Sequence, residues 1–246
     1  MKEISAMHGW GGDSHQWAEW EKIFKSCDWE WQTAERGYKD ISPHTPKWNQ
    51  NSNQVELKRV AICHSLGSHL IDKYILFSAT HVVLINSFSR FIPIGKKNRS
   101  IQMALNRMMN AIDTPDEEAM LRKFHKKANQ PNCVDIESNE STILNVSDSG
   151  RLRLKNDLQL LMNSDSLPIG LNNSAKVLIV NSEQDYILAN QTKEKLAEDL
   201  INHLVETVPK IINLKDEGHS ITKIKNIKKI KHWLEFDHAK NMVCPS

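Results

Sequence analysis

Three residues far apart in the chain, Ser65, Asp185 and His219, have the types that nucleophilic acyl chemistry requires. A serine hydroxyl is a weak nucleophile and needs an imidazole to take its proton. The imidazole in turn needs a carboxylate to fix its tautomer and stabilise its charged form. Ser65 lies in Cys63-His64-Ser65-Leu66-Gly67, after the apolar run Arg59 to Cys63 and before a helical pattern through Leu70, Tyr74 and Phe77. A serine at a strand-to-helix turn, with small residues two before and two after it, fits a nucleophile elbow. Cys63 stands where glycine is usual, a small departure. The alternative is a serine that merely caps a helix.

Asp185 follows the run Lys176 to Asn181, and His219 follows the run Lys210 to Leu214 within Asp216-Glu217-Gly218-His219-Ser220. Both therefore fall in loops just beyond strand ends, where ligands gather in open α/β sheets. Asp216 competes for the acid role, but it is three residues from His219 on the same loop, so Asp185 is the expected partner. Acyl transfer also needs backbone N–H groups facing the developing oxyanion. Leu66, just after the nucleophile, supplies one. His8-Gly9-Trp10-Gly11-Gly12, after the first strand, supplies the other at Trp10. The same pentapeptide also reads as a plain strand-to-helix turn with Trp10 as a core anchor.

The elements that must position these residues are six short apolar runs: Ile4 to Met7, Trp29 to Ala34, Arg59 to Cys63, Val82 to Ile85, Lys176 to Asn181 and Lys210 to Leu214. Runs such as Val177-Leu178-Ile179-Val180 lack polar alternation, as strands buried on both faces do. Helical patterns separate them. Trp17, Trp20, Ile23 and Phe24 share a face, as do Ile221, Ile224, Ile227, Ile230 and Trp233-Leu234. The fold class is thus α/β: a mostly parallel sheet of about six strands with helices on both faces. From Gly95 to Leu167 only helical patterns occur. Ile101, Leu105, Met108 and Ile112 form one stripe. Thr114-Pro115-Asp116-Glu117 reads as a capping box opening a second helix through Met120, Leu121 and Phe124. A third helix runs from Ser149 to Met162 with Leu152, Leu158 and Leu161 inward. Residues 95–168 are read as a helical lid inserted into a core of residues 1–94 and 169–246.

Composition narrows the function classes. Thirty-two Lys and Arg against thirty Asp and Glu give a formal charge of +2, without the basic excess of a nucleic-acid binder. No apolar run is long enough to span a bilayer, and no signal-peptide pattern opens the chain. The four cysteines, Cys27, Cys63, Cys133 and Cys244, form no CxxC pair. Neither a zinc site nor a disulfide framework is expected. A reduced, cytoplasmic protein is the expectation, with no nucleic-acid partner, no membrane insertion, no metal and no cofactor. A monomer is favoured.

Together these motifs make the chain resemble the α/β-hydrolase superfamily, in the order His8-Gly9-Trp10-Gly11-Gly12, His64-Ser65-Leu66-Gly67, Asp185, Gly218-His219. Within it the chain is most similar to the pimeloyl-[acyl-carrier protein] methyl ester esterases of biotin synthesis. The shared points are the His-Gly-Trp-Gly start, the Ser-Leu-Gly elbow, the compact size and the lid ending Asp157-Leu158-Gln159-Leu160-Leu161. That resemblance implies a serine carboxylesterase acting on an acyl ester carried by an acidic acyl carrier protein, which basic lid residues would hold. The lid segment carries Lys96, Lys97, Arg99, Arg107, Arg122, Lys123, Lys126 and Lys127 against Asp113, Asp116, Glu117 and Glu118, with Arg151 and Arg153 on the third helix. Exposed helices are often basic for solubility alone. Two other readings fit the motifs: a lidded general esterase, thioesterase or carbon–carbon bond hydrolase, and a non-catalytic binding protein of hydrolase fold.

Overall fold

The computed structural model describes residues 1–49, 57–95, 98–132 and 145–236. Its centre is a six-stranded sheet in the order β2-β1-β3-β4-β5-β6. The strands are β1 (Lys2–Met7), β2 (Glu30–Ala34), β3 (Lys58–His64), β4 (His81–Ile85), β5 (Lys176–Ser182) and β6 (Lys210–Leu214). Every pairing is parallel, with Ile62 opposite Val83 and Val83 opposite Leu178 in the centre. Alternate side chains of these apolar strands feed two cores, as a pleat of period two demands. Val60, Ile62, Val83 and Ile85 meet Trp20 and Phe24 of α1 (Ala18–Lys25) and Ile227, Ile230 and Leu234 of the last helix. Ala61, Cys63, Val82 and Leu84 meet Ile75, Leu76, Leu196 and Leu200.

The chain leaves β1 toward β2 on one side of the sheet and later lays β3 on the other. The loops after β1 and β3 therefore flank a topological switch point, where a crevice opens at the strand ends. Those loops carry Trp10 and Ser65.

The helix expected after Ser65 is two helices. α2 (Gly67–Leu70) stops at Ile71, and Asp72 accepts from the Tyr74 N–H at 2.8 Å to start α3 (Lys73–Phe77). The restart changes the phase of the helix, so Ile75 and Leu76 point inward while Tyr74 and Phe77 are exposed.

Between β4 and β5 stand α4 (Asn98–Ala111), α5 (Glu117–Asn129) and α6 (Asp148–Asn163), over a third core of Trp10, Leu66, Phe88, Leu105, Leu121, Leu154, Leu158 and Leu161. Two expectations change here. Leu152 is exposed and Leu154 takes its place inside, in register with Leu158 and Leu161. The capping box does not form on Thr114: residues 114–116 make a turn, and the Glu117 carboxylate accepts from the Asp113 N–H at 2.7 Å and from Arg151 at 3.0 Å. α7 (Asn190–His203) and α8 (Ile224–Phe236) complete the layers. Of the C-terminal stripe, Ile221, Ile227, Ile230, Trp233 and Leu234 pack against the core, and only Ile224, about half exposed, departs from it. Among the described residues no helix is long and apolar enough to cross a membrane.

Candidate active site

Ser65 is held at φ +54°, in the left-handed region that a non-glycine residue enters only under constraint. Its N–H donates to Ile85 O at 2.8 Å, and its carbonyl accepts from Ser87 Oγ at 2.8 Å. The turn also requires small neighbours. A Cβ on Gly67 would lie 2.5 Å from Met7 O and 2.6 Å from His8 O, and one on Gly9 would lie 3.0 Å from Ser65 Cβ. The β1 loop is thereby pressed against the elbow. Cys63 fits because its side chain drops into the sheet core, where burial pushes its thiol up and leaves it protonated. Cys27 is a free thiol too, whereas Cys133 and Cys244 lie outside the described residues.

Across the rim, His219 Nδ1 donates to Asp185 Oδ2 at 2.8 Å, with both side chains almost fully buried. The other carboxylate oxygen accepts from the Ile187 and Leu188 N–H groups at 2.7 and 3.0 Å. Burial alone would raise the Asp185 pKa, but the His219 ring and these two amides outweigh it and bring it to about 2. Asp216 is engaged elsewhere: it pairs with Lys225 at 2.5 Å and Lys223 at 3.3 Å near the surface. Its pKa is lowered by those lysines and Asn226.

Ser65 Oγ and the His219 ring are not hydrogen-bonded to each other. They are neighbours through His64, whose ring centroid is 4.9 Å from that of His219 and whose Nε2 lies 2.9 Å from His219 O. Since a carbonyl only accepts, His64 carries its proton on Nε2. Full burial lowers its pKa to about 3, so the ring stays neutral. Apo active sites often show such loosely aligned nucleophile and base, which tighten on substrate binding.

The backbone N–H groups of Trp10 and Leu66 have no hydrogen-bond acceptor among the described residues. Trp10 also serves as an anchor, the alternative reading of its pentapeptide: its indole N–H donates to Leu154 O at 2.9 Å and its ring meets Phe124 edge-on. Side chain and main chain do different work here. Ser65 opens into a cavity of about 530 Å³ walled by Trp10, Phe91, Leu105, Met108, Phe124, Leu158, Leu161 and Ile187. Its size and apolar walls suit an acyl chain.

The basic residues of the insertion sort into three groups. Arg107, Lys123 and Lys127 line the cavity, with Asp116 beside them, and form no ion pair among the described residues. Arg122, Arg151 and Arg153 are structural: Arg122 pairs with Glu118, Arg151 with Glu117 and Asp148, and Arg153 donates to Gly37 O. Arg99 and Lys126 are exposed away from the cavity, and Lys96 and Lys97 lie outside the described residues.

Sequence reasoning passed over several polar groups that organise the site. Arg36 grips Asp157 of α6 with two bonds of 2.6 and 2.7 Å, and Tyr38 OH donates to the same carboxylate at 2.7 Å. A signal was available, since Asp157 interrupts the inward stripe of Leu154, Leu158 and Leu161. Buried Asn86, at φ +43°, bridges β4 to the β5 end and the His219 loop. The last turn of α5 meets that loop from above: Ser220 N–H donates to Ala128 O at 3.1 Å, and Asn132 Nδ2 donates to Glu217 at 3.0 Å. No cluster of His, Cys, Asp or Glu among the described residues is arranged to hold a metal ion.

Solved structures resemble the whole chain. An esterase from Exiguobacterium antarcticum is 13% identical with a TM-score of 0.70, over 96% of this chain and 92% of that one. A hydrolase from Oleispira antarctica is 12% identical with a TM-score of 0.66, over 96% and 91%. The enol-lactonase from Burkholderia xenovorans LB400 is 12% identical with a TM-score of 0.62, over 96% and 89%. No protein-family model and no curated sequence matches the chain. The chain has the α/β-hydrolase fold.

Proposed function

We propose that the protein is a serine-dependent carboxylic-ester hydrolase. The observation that carries this reading is the constrained Ser65 beside two backbone N–H groups that have no acceptor among the described residues, lining an apolar cavity, with a buried Asp185–His219 pair nearby. Ser65 attacks the ester carbonyl, and the Trp10 and Leu66 N–H groups bind the oxyanion. His219 takes the Ser65 proton and delivers it to the departing alcohol. Asp185, fully ionised at neutral pH, stabilises the imidazolium between those events. Water then gives a proton to His219 as it attacks the acyl-enzyme carbonyl. When the adduct collapses, the acid leaves and His219 returns the proton to Ser65 Oγ.

The finer reading is hydrolysis of pimeloyl-[acyl-carrier protein] methyl ester to pimeloyl-carrier and methanol, in the cytoplasm. The apolar cavity accommodates the acyl chain, and Arg107, Lys123 and Lys127 offer charge to an acidic carrier.

Ser65→Ala tests the mechanism. The variant should fold normally, lose labelling by a fluorophosphonate probe and lose at least ~10⁴-fold in turnover of p-nitrophenyl butyrate. Retained turnover would remove Ser65 from the chemistry. Methyl esters assayed against thioesters of equal length, and growth rescue of a biotin-requiring strain, test the finer reading.

A further inference from the structure

The end of β4 touches all three loops of the site. Ile85 O accepts from Ser65 N–H, Ser87 Oγ donates to Ser65 O, and between them Asn86 reaches the other two loops. Asn86 is fully buried, and its side-chain amide is committed on both sides. Oδ1 accepts from the Ser182 N–H at 2.8 Å, at the end of β5 and three residues before Asp185. Nδ2 donates to His219 O at 2.7 Å, with Ser182 Oγ at 2.9 Å and Gly218 O at 3.2 Å. The amide orientation follows from these partners, because the reverse would set an oxygen against two carbonyls. The positive φ of Asn86 marks it further: such backbone costs energy and persists where the surroundings hold it.

We infer that Asn86 is the positioning residue for His219, a strut that fixes the spacing between the acid loop and the base loop. His219 O takes a second donor, His64 Nε2, at 2.9 Å, so two side chains grip the backbone of the base and leave its ring to Asp185. The catalytic consequence rests on the serine-hydrolase reading, whereas the geometric consequence does not. Displacing a general base by about 1 Å can cost ~100-fold in rate, and the grip prevents such a displacement.

Two substitutions test this. Asn86→Gly accepts the positive φ and deletes the strut. Asn86→Asp keeps the shape but turns an acceptor toward the Gly218 and His219 carbonyls. Two readouts are taken. One is kcat and KM for p-nitrophenyl butyrate. The other is the downfield proton resonance of His219 Nδ1–H, identified by its loss in His219→Ala. In folded variants the resonance should shift or broaden, and kcat should fall ~100-fold with KM unchanged. A resonance and kcat like those of the native protein in either folded variant would overturn the proposal. So would failure of both variants to fold, which would make Asn86 a determinant of the fold. If the native protein turns over no ester, the serine-hydrolase reading fails, and the resonance alone decides whether Asn86 positions His219.

Discussion

α4 and α6 belong to the same insertion and wall the same cavity, yet they are attached in different ways. α6 buries Leu154, Asp157, Leu158 and Leu161, and its carboxylate is locked to Arg36 and Tyr38 of the loop after β2. α4 buries only Leu105 completely and leaves Arg107 exposed along the cavity. Among the described residues, α6 is tied to the core by directional bonds, whereas α4 meets it mainly through Leu105 and its partly buried neighbours Ile101 and Met108. Directional bonds set a position closely, whereas apolar contact tolerates sliding. The α6 side of the cavity is thus the more directionally anchored wall.

The largest expected effect comes from breaking the anchored wall. Asp157→Ala strands the buried Tyr38 hydroxyl and a partly buried Arg36. It should cost about 2–4 kcal/mol in urea unfolding, less than a fully buried pair because Arg36 is 35% exposed on its side chain. A loss below about 1 kcal/mol would erase the contrast between the two helices.

Acid should act next, on the rim below both walls. The Asp185 pKa lies at about 2, against an ordinary 3.8. The unfolded chain therefore binds the proton first, so the stabilisation is complete above pH 3.8 and is lost as pH falls through 2. Unfolding free energy measured across that window should decline in the native protein and decline less in Asp185→Asn.

The smallest effect on stability sharpens the contrast from the other side. Reversing Arg107, Lys123 and Lys127 to Glu should change the unfolding free energy by less than about 0.5 kcal/mol per site, as these side chains form no ion pair among the described residues. KM for an ester bearing a distal carboxylate should nonetheless rise several-fold, more at low salt than at high, with the neutral ester unaffected. Equal rises for both esters would assign the change to wall shape, not to charge.

The central strands were legible because strands buried on both faces write themselves as nearly unbroken apolar runs. The edge strands β2 and β6 are more exposed and more polar, yet all six runs became strands. Ser65 and Asp185 follow two of the buried central strands, whereas His219 follows the exposed edge strand β6, and its place was legible only from the order of the runs. Local restarts were harder to read. Asp72 begins a new helix by capping it, after Ile71 and Asp72 turn to extended ψ values of 148° and 132°, a break that apolar periodicity does not mark. Leu152 and Leu154 differ in burial although both fit an amphipathic stripe, and tertiary packing decided between them. Least legible were Asn86, His64 and Arg36. Their work depends on partners 96 to 155 residues away, and no periodicity encodes such a pairing.

The turn that closes α5 has a bearing on attempts to re-engineer the protein. A Cβ on Gly218 would fall 1.7 Å from Gln130 O, and Ser220 is tied to Ala128. The helical insertion and the loop of the base are thus tailored to each other at their backbones. A chimera that exchanges the whole insertion for a foreign one would discard half of that seat. A graft that stops before Ala128 would keep it, so the exchangeable part of this scaffold ends inside a helix, not at its border.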